Sequence, residues 1–261
     1  MLTRFIGLTG PKKSGKTTAI EALVPILQKK NLRVGTAKVA FRDVSIDVDQ
    51  EHYDVIRHRR SGPKLTLFKS GIETVIFRNE KHTLREALKI ISKDLDIVLL
   101  EGFKEDLVGI PQITLLREAG QEKEFVGDYT VALSSIPEFS VKSKHELFIQ
   151  YDKLAEAVKE KALPLFPELD CEHCGYSTCQ ELMKEVIRGK KKVEDCEVLG
   201  FEESFVILKA NDKVVPCKPF IQNLIKNVVS GILTSLKVEE EELSSVEIQV
   251  SYEPKKAKTN E

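Results

Sequence analysis

The sequence predicts a doubly wound α/β fold on a mainly parallel sheet. Three observations carry this. Strand-like and helix-like patterns alternate along the first hundred residues. The strand-like segments are short unbroken apolar runs, as strands covered on both faces must be. A Gly/Lys-rich loop then separates the first apolar run from the first helical stripe, the place where open α/β sheets keep their ligand loops.

Taken in order, Phe5-Ile6-Gly7-Leu8 is the first strand, and Lys16 to Lys30 carries Ala19, Ile20, Leu23, Ile26 and Leu27 at helical spacing. Leu32 to Ala40 reads as a second strand, and Leu65–Lys69 and Thr74–Phe77 as further short ones. Thr83 with Glu86 three residues on is a capping-box signature for a helix to about Ser92. Asp96 to Glu101 follows as a buried strand, and Ile113–Leu116 and Thr130–Leu133 continue the alternation. Lys144 to Lys161 reads as helical through Leu154, Ala157 and Val158, and Pro164 and Pro167 mark a boundary. The expected organisation is an α/β domain over residues 1–165, a small cysteine module over 168–200, an α+β segment over 201–252 and a disordered tail over 253–261. In the α+β segment, Phe205–Leu208 reads as a strand, Asn211-Asp212 as a turn, Pro219–Leu236 as a helix and Val246–Val250 as an edge strand. The acidic run Glu239–Glu242 reads as a solvated connection.

Composition removes several classes of function. Lys+Arg number 40 against 41 Asp+Glu in 261 residues, a net charge of −1, without the basic excess that sequence-independent nucleic-acid binding requires. No run approaches 18 apolar residues and the first residues lack a signal-peptide pattern. The expectation is a soluble, cytoplasmic protein with neither nucleic acid nor membrane as partner. Five cysteines cannot all pair within one chain. Four of them lie between Cys171 and Cys196, and Cys217 stands apart as an ordinary buried or free thiol. In a reducing compartment such a cluster reads first as a metal site.

Gly10-Pro11-Lys12-Lys13-Ser14-Gly15-Lys16-Thr17 fits G-x-x-x-x-G-K-[ST] at every fixed position, and Thr18 follows. Such a loop wraps backbone N–H groups around a β-phosphate and aims a helix N-terminus at the anion. Lys16 would neutralise the β- and γ-phosphates, and the Thr17 hydroxyl would ligate Mg²⁺. Residues 1–165 therefore read as a P-loop nucleotide-binding domain. Mg²⁺ calls for a further acidic group at a strand end. Glu101, where the run Ile97–Leu100 stops before Gly102, is the candidate, able to hold a metal-bound water or polarise an attacking one. Asp96 lies at the other end of that strand, so only one of the two can face the phosphate. Lys16 and Glu101 are thus the expected catalytic groups.

Residues 38–62 crowd Asp47, Asp49 and Asp54 against Arg57, His58, Arg59 and Arg60, a pattern suiting either anion recognition or a solvated ion-pair face. On a helix, Asp54 and Arg57 would be neighbours at i, i+3, and Asp49 would cap the helix or approach the metal. An arginine fork suits a phosphate oxygen better than lysine does. Arg57 or Arg59 is therefore expected to touch a bound anion, with Asp54 orienting the guanidinium. The alternative is a surface pair worth under about 1 kcal/mol.

The loop GPKKSGKTT, the segment Asp49-x4-Asp54-x2-Arg57-His58-Arg59-x2-Gly62 and the strand end LLEGFK occur in one order and spacing. With them the chain resembles the molybdopterin-guanine dinucleotide biosynthesis protein B family over residues 1 to about 165. The resemblance implies a GTP-binding, homodimeric adapter with at most slow GTP hydrolysis. It would assist the molybdenum cofactor guanylyltransferase, which joins GMP to molybdopterin to give the dinucleotide cofactor of molybdenum or tungsten. Lys16, Thr17, Asp49, Asp54, Arg57, Arg59 and Glu101 fall on the family's motif positions, and Lys38 on the lysine opening its histidine-rich stretch. Here that stretch reads Val39-Ala40-Phe41-Arg42, so a role needing those histidines is not expected. No N-K-x-D guanine-reading motif is present, and a preference for GTP over ATP rests on the resemblance.

Cys171-x2-Cys174-x4-Cys179-x16-Cys196 is a compact four-thiolate set suited to an iron–sulfur cluster or to Zn²⁺. Leu182, Met183, Val186 and Ile187 form a helical stripe that ends at Gly189 and lets the fourth cysteine fold back. The pattern C-x2-C-G-x3-C, helix, late Gly, Cys resembles the small iron–sulfur domain of electron-transfer and corrinoid-protein subunits. This resemblance favours [4Fe–4S] over Zn²⁺. With four thiols present, His173 reads as a loop residue, and Lys190–Lys192 as helix-end complement to the dipole. Two other classes of function stay open: a P-loop kinase acting on a small molecule, and a cluster carrier or redox module switched by nucleotide.

Overall fold

Unbroken apolar runs need cover on both faces, and the chain supplies it with helices between parallel strands. The elements in order are β1 (Arg4–Thr9), α1 (Lys16–Lys29), β2 (Val34–Lys38), α2 (Asp54–Arg60), β3 (Leu65–Lys69) and β4 (Thr74–Arg78). They continue with α3 (Leu84–Ile91), β5 (Ile97–Glu101), β6 (Gln112–Leu115), α4 (Glu122–Phe125), β7 (Thr130–Ser134), α5 (Leu154–Lys161) and β8 (Leu163–Pro164). Beyond these lie α6 (Cys179–Ile187), α7 (Glu197–Gly200), β9 (Leu208–Ala210), β10 (Lys213–Val215) and α8 (Pro219–Ser235). The computed structural model describes residues 2–40, 54–103, 109–168, 170–200, 206, 208–210, 213–215, 219–236, 246–248 and 250. Asp49, Lys104, the turn Asn211-Asp212, Cys217, Glu239–Glu242 and the tail over 253–261 lie outside the described residues.

The chain divides into two units, Met1–Glu202 and Glu203–Glu261. The first holds a sheet of order β2-β5-β1-β6-β7 in which every neighbouring pair is parallel. β8 pairs antiparallel with Arg4 and Phe5 of β1. A strand's period of two sends alternate residues to opposite faces. Ile6, Leu8, Ile97 and Leu99 accordingly pack on one face with Ala19, Leu23 and Leu27 of α1 and Leu154 and Val158 of α5. Phe5, Val98 and Leu100 pack on the other with Leu88 of α3, Phe103 and Ile110. The doubly wound prediction therefore holds.

The capping box at α3 forms as its sequence implies. Glu86 N–H donates to Thr83 Oγ1 at 3.2 Å and Thr83 N–H to Glu86 Oε2 at 2.8 Å. β3 and β4 stay out of the main sheet and pair with each other as an antiparallel hairpin. The helix expected from Lys144 starts only at Leu154, after a 3₁₀ turn over Tyr151–Lys153. Residues before it are drawn out along β7, where Leu133 N–H donates to Leu147 O and Ile149 N–H to Leu133 O, both at 2.8 Å. That outer edge of β7 would otherwise be an unpaired row of backbone groups. In the second unit β9 and β10 pair antiparallel, and α8 runs as its stripe predicts. Of Val246–Val250, expected as an edge strand, the described residues 246–248 and 250 are not in a strand.

Candidate nucleotide site and cysteine centre

The phosphate loop leaves β1 and enters α1 at the carboxyl ends of the parallel strands, the crevice where open α/β sheets bind ligands. Its turn is tight. Gly10 sits at φ 123°, and a Cβ there would collide with the Leu115 carbonyl oxygen of β6, so no larger residue fits. Gly15 precedes α1 with a left-handed backbone, no side chain caps that helix, and its first turn has no acidic residue. Orphan N–H groups and the dipole's positive end are thus left for an anion.

Lys16 Nζ donates to Pro11 O at 2.6 Å, to Gly10 O at 3.1 Å and to Ser14 Oγ at 3.4 Å. Its ammonium is curled over the loop that a phosphate would occupy. Burial lowers the Lys16 pKa, Glu101 counteracts this, and Lys38 adds to it. Thr17 Oγ1 donates to Glu101 Oε2 at 2.9 Å. The Lys38 ammonium forms an ion pair with Glu101 Oε1. Lys38 and Glu101 are register partners across β2 and β5, which is why two residues 63 apart in sequence meet. Glu101 is buried, and a buried carboxylate must be paired. Gly102 turns the chain at φ 83°, where a Cβ would collide with the Val39 carbonyl oxygen, and Val39 N–H donates to Glu101 O at 2.8 Å. Thr17 and Glu101 together are the hard oxygen pair that Mg²⁺ takes; the residues fit that ion.

The structure thus brings Lys16, Thr17, Lys38 and Glu101 together. Asp96 stands at the opposite end of β5, bound to Arg33. Asp54 and Arg57 are i, i+3 neighbours on α2, as the helical reading expected, and form an exposed pair at 3.5 Å. Arg59 lies over the Phe77 ring of β4 at 4.6 Å. The contacts described for these three residues face one another and the hairpin.

Cys171, Cys174, Cys179 and Cys196 line one pocket with His173. Cys179 and Cys196 are buried with Phe166, Leu182 and Met183. Burial, with Cys179 and Cys174 nearby, pushes the Cys196 thiol pKa up. All four cysteines are free thiols, a donor set that fits a soft metal or an iron–sulfur cluster. Among the described residues, no three His, Cys, Asp or Glu side chains stand at metal-holding spacing. Sequence reasoning missed Asp170, whose Oδ1 accepts from Cys179 N–H at 2.8 Å. Its only sequence signal is an acidic residue next to Cys171.

A family model described as molybdopterin guanine dinucleotide synthesis protein B matches residues 5–135. Residues 166–198 match a family described provisionally as an Fe-S cluster. A Methanocaldococcus jannaschii protein, provisionally named a molybdopterin-guanine dinucleotide biosynthesis adapter protein, is 29% identical over 252 residues, covering 95% of this chain and 98% of its own. Adapter proteins of that name from Haemophilus influenzae and Escherichia coli are each 30% identical, over 50% and 47% of this chain and 74% and 72% of their own. The crystal structure of Bacillus subtilis MobB superposes with a TM-score of 0.51 at 19% identity, covering 61% of this chain and 98% of that one, and shares the fold. None of the described helices is long and apolar enough to cross a membrane. A family model spanning half of the chain and two relatives at 30% identity, each covered over more than two thirds of its length, have one consequence: the chain belongs to the molybdopterin guanine dinucleotide synthesis protein B family.

Proposed function

We propose that the chain is a GTP-binding adapter in molybdopterin-guanine dinucleotide biosynthesis. It would act as a cytoplasmic homodimer that assists the guanylyltransferase joining GMP to molybdopterin, and hydrolyse GTP slowly at most. The observation that carries the nucleotide part is the convergence of Lys16, Thr17 and Glu101 on one uncapped helix N-terminus. Backbone N–H groups of Gly10 to Thr18 would hold the phosphates, and Lys16 would leave its carbonyl partners for the β- and γ-oxygens. Mg²⁺, when bound, neutralises phosphate charge. Thr17 and Glu101 are the residues that would hold it. Glu101 is paired by Lys38 and Thr17 here and would be engaged by Mg²⁺ in the loaded site, so it is a free base in neither state, which supports slow turnover. The adapter role is supported by family membership and by the relatives' names.

Cys171, Cys174, Cys179 and Cys196 are proposed to hold a [4Fe–4S] cluster, with Zn²⁺ as the alternative that metal analysis separates. Their shared pocket and the match at residues 166–198 support this. A nucleotide-switched cluster carrier is the second reading. Met183 of the cysteine helix lies so near Gly109 that an added Cβ there would meet its sulfur, which places the cysteine helix against the nucleotide fold.

Calorimetry with GTP and ATP in Mg²⁺, on wild type and Lys16→Ala, tests the core. The variant is expected to lose several kcal/mol of affinity, about a hundredfold or more, through loss of a charge-assisted contact. Unchanged affinity refutes the site. GTP binding without rapid hydrolysis, together with stimulation of a guanylyltransferase, separates the adapter from a small-molecule kinase, which would turn over with its substrate. Light scattering reads the dimer, and anaerobic iron and sulfide analysis the cluster.

A further inference from the structure

Glu101 has both carboxylate oxygens engaged, one by Thr17 and one by the Lys38 ammonium. The two partners differ in freedom. The Lys38 side chain is 64% exposed while that of Glu101 is 9% exposed, so the carboxylate is fixed and the cation can move. The backbone beneath them is locked by β2–β5 register, by Val39 N–H on Glu101 O and by Gly102 packed against Val39. Any response at this point must therefore come from the lysine stem. Lys16 and Lys38 both act on Glu101's surroundings, and Lys38 disfavours the charged form of Lys16. The Lys16 ammonium stays on the loop carbonyls of Gly10 and Pro11, so the ammonium bonded to Glu101 is that of Lys38.

A divalent cation beside Thr17 needs the same carboxylate, and it repels an ammonium already there. A bound triphosphate resolves the conflict, because its terminal phosphate lies next to the metal and offers oxygens to the displaced lysine. A diphosphate lacks the γ-phosphate oxygens that would take the lysine. Lysine suits this exchange: it is a point charge with rotatable donors on a flexible four-carbon stem, whereas an arginine fork would lock onto the carboxylate.

We propose that Lys38 is the triphosphate sensor of the site. It is the counter-ion of Glu101 when no γ-phosphate is present and transfers its ammonium to a γ-phosphate oxygen when Mg²⁺ and triphosphate arrive together. This rests on the reading of Gly10–Thr18 as a Mg²⁺–nucleotide loop. Lys38 then sets the preference for triphosphate over diphosphate.

The test titrates the full chain with a non-hydrolysable GTP analogue and with GDP, both in Mg²⁺, comparing wild type with Lys38→Met. Affinity for the triphosphate should fall by roughly tenfold or more, the scale of a hydrogen bond to a charged group. Affinity for GDP should hold or improve, since the competitor for Glu101 is gone. Equal losses for both nucleotides, or no change in either, overturn the sensor while leaving the nucleotide site standing. Wild type that binds neither nucleotide overturns both. Should Lys38→Met fail to fold, amine-selective labelling of Lys38 in wild type, read by mass spectrometry, gives the same decision. Labelling should slow with Mg²⁺–triphosphate and not with Mg²⁺–GDP, and equal protection by both overturns the proposal.

Discussion

Arg33 holds Asp96 with its backbone N–H at 2.7 Å and its guanidinium at 2.9 and 3.2 Å. These bonds hold the Asp96 pKa down to about 2. An unfolded aspartate titrates near 3.9, about two units higher. The folded value is depressed, so the contribution to stability is complete above about pH 4 and is lost as pH falls toward 2. Thermal melts of wild type and Asp96→Asn should differ at pH 7 and converge across that interval. A gap that persists at pH 2 would mean the charge is not its source. The two carboxylates bounding the run Ile97–Leu100 were visible in the sequence, as was the reason that only one of them can lie at the loop end of β5. The Lys38–Glu101 pair was not, because it depends on which strand lies beside β5 and in what register.

Local chemistry decided most elements. The Thr83/Glu86 box forms with both reciprocal bonds, and Leu88, a turn further on, is buried against Val98 and Leu100. Thr83→Ala should lower stability by about 1 kcal/mol, the usual cost of an N-cap, measured by urea denaturation. Thr83→Ser should restore most of it, and a serine variant as unstable as the alanine one would show that packing rather than capping matters. Periodicity also placed α1 and α8 within a residue of where they lie, and put the stripe Leu182–Ile187 on α6. It failed where tertiary partners overrule local pattern. Residues 147–149 follow β7 instead of joining α5, and Leu163–Pro164 pair with β1 although proline donates nothing to a ladder. Nothing in the order of residues reveals those free edges.

At the scale of the molecule, the question is how the cysteine module is joined to the nucleotide fold. Both lie in the unit Met1–Glu202. Phe166 is buried with Cys179, Leu182, Met183 and Cys196, and Tyr129 and Leu163 pack on the same cluster from the sheet side. Asp128, just before β7, takes Lys184 at 2.6 Å and Arg188 at 3.5 Å from the cysteine helix. Arg85 of α3 reaches Glu168 at 2.9 Å. Composition could show a cluster of thiols, but not that a phenylalanine between two prolines would bind it to the sheet. Exposed ion pairs contribute little, so the apolar contact should dominate. Phe166→Ala is expected to cost about 3–5 kcal/mol, as for an aromatic removed from a packed core. Because the cluster draws on both parts, the loss should not stay within the cysteine module. Hydrogen exchange should show amides of α6 and β7 losing protection together and by similar amounts, the sign of one cooperative unit. Protection lost in α6 alone, with β7 at its wild-type level, would make the module a separate unit and would mean that Phe166 does not bind it to the sheet.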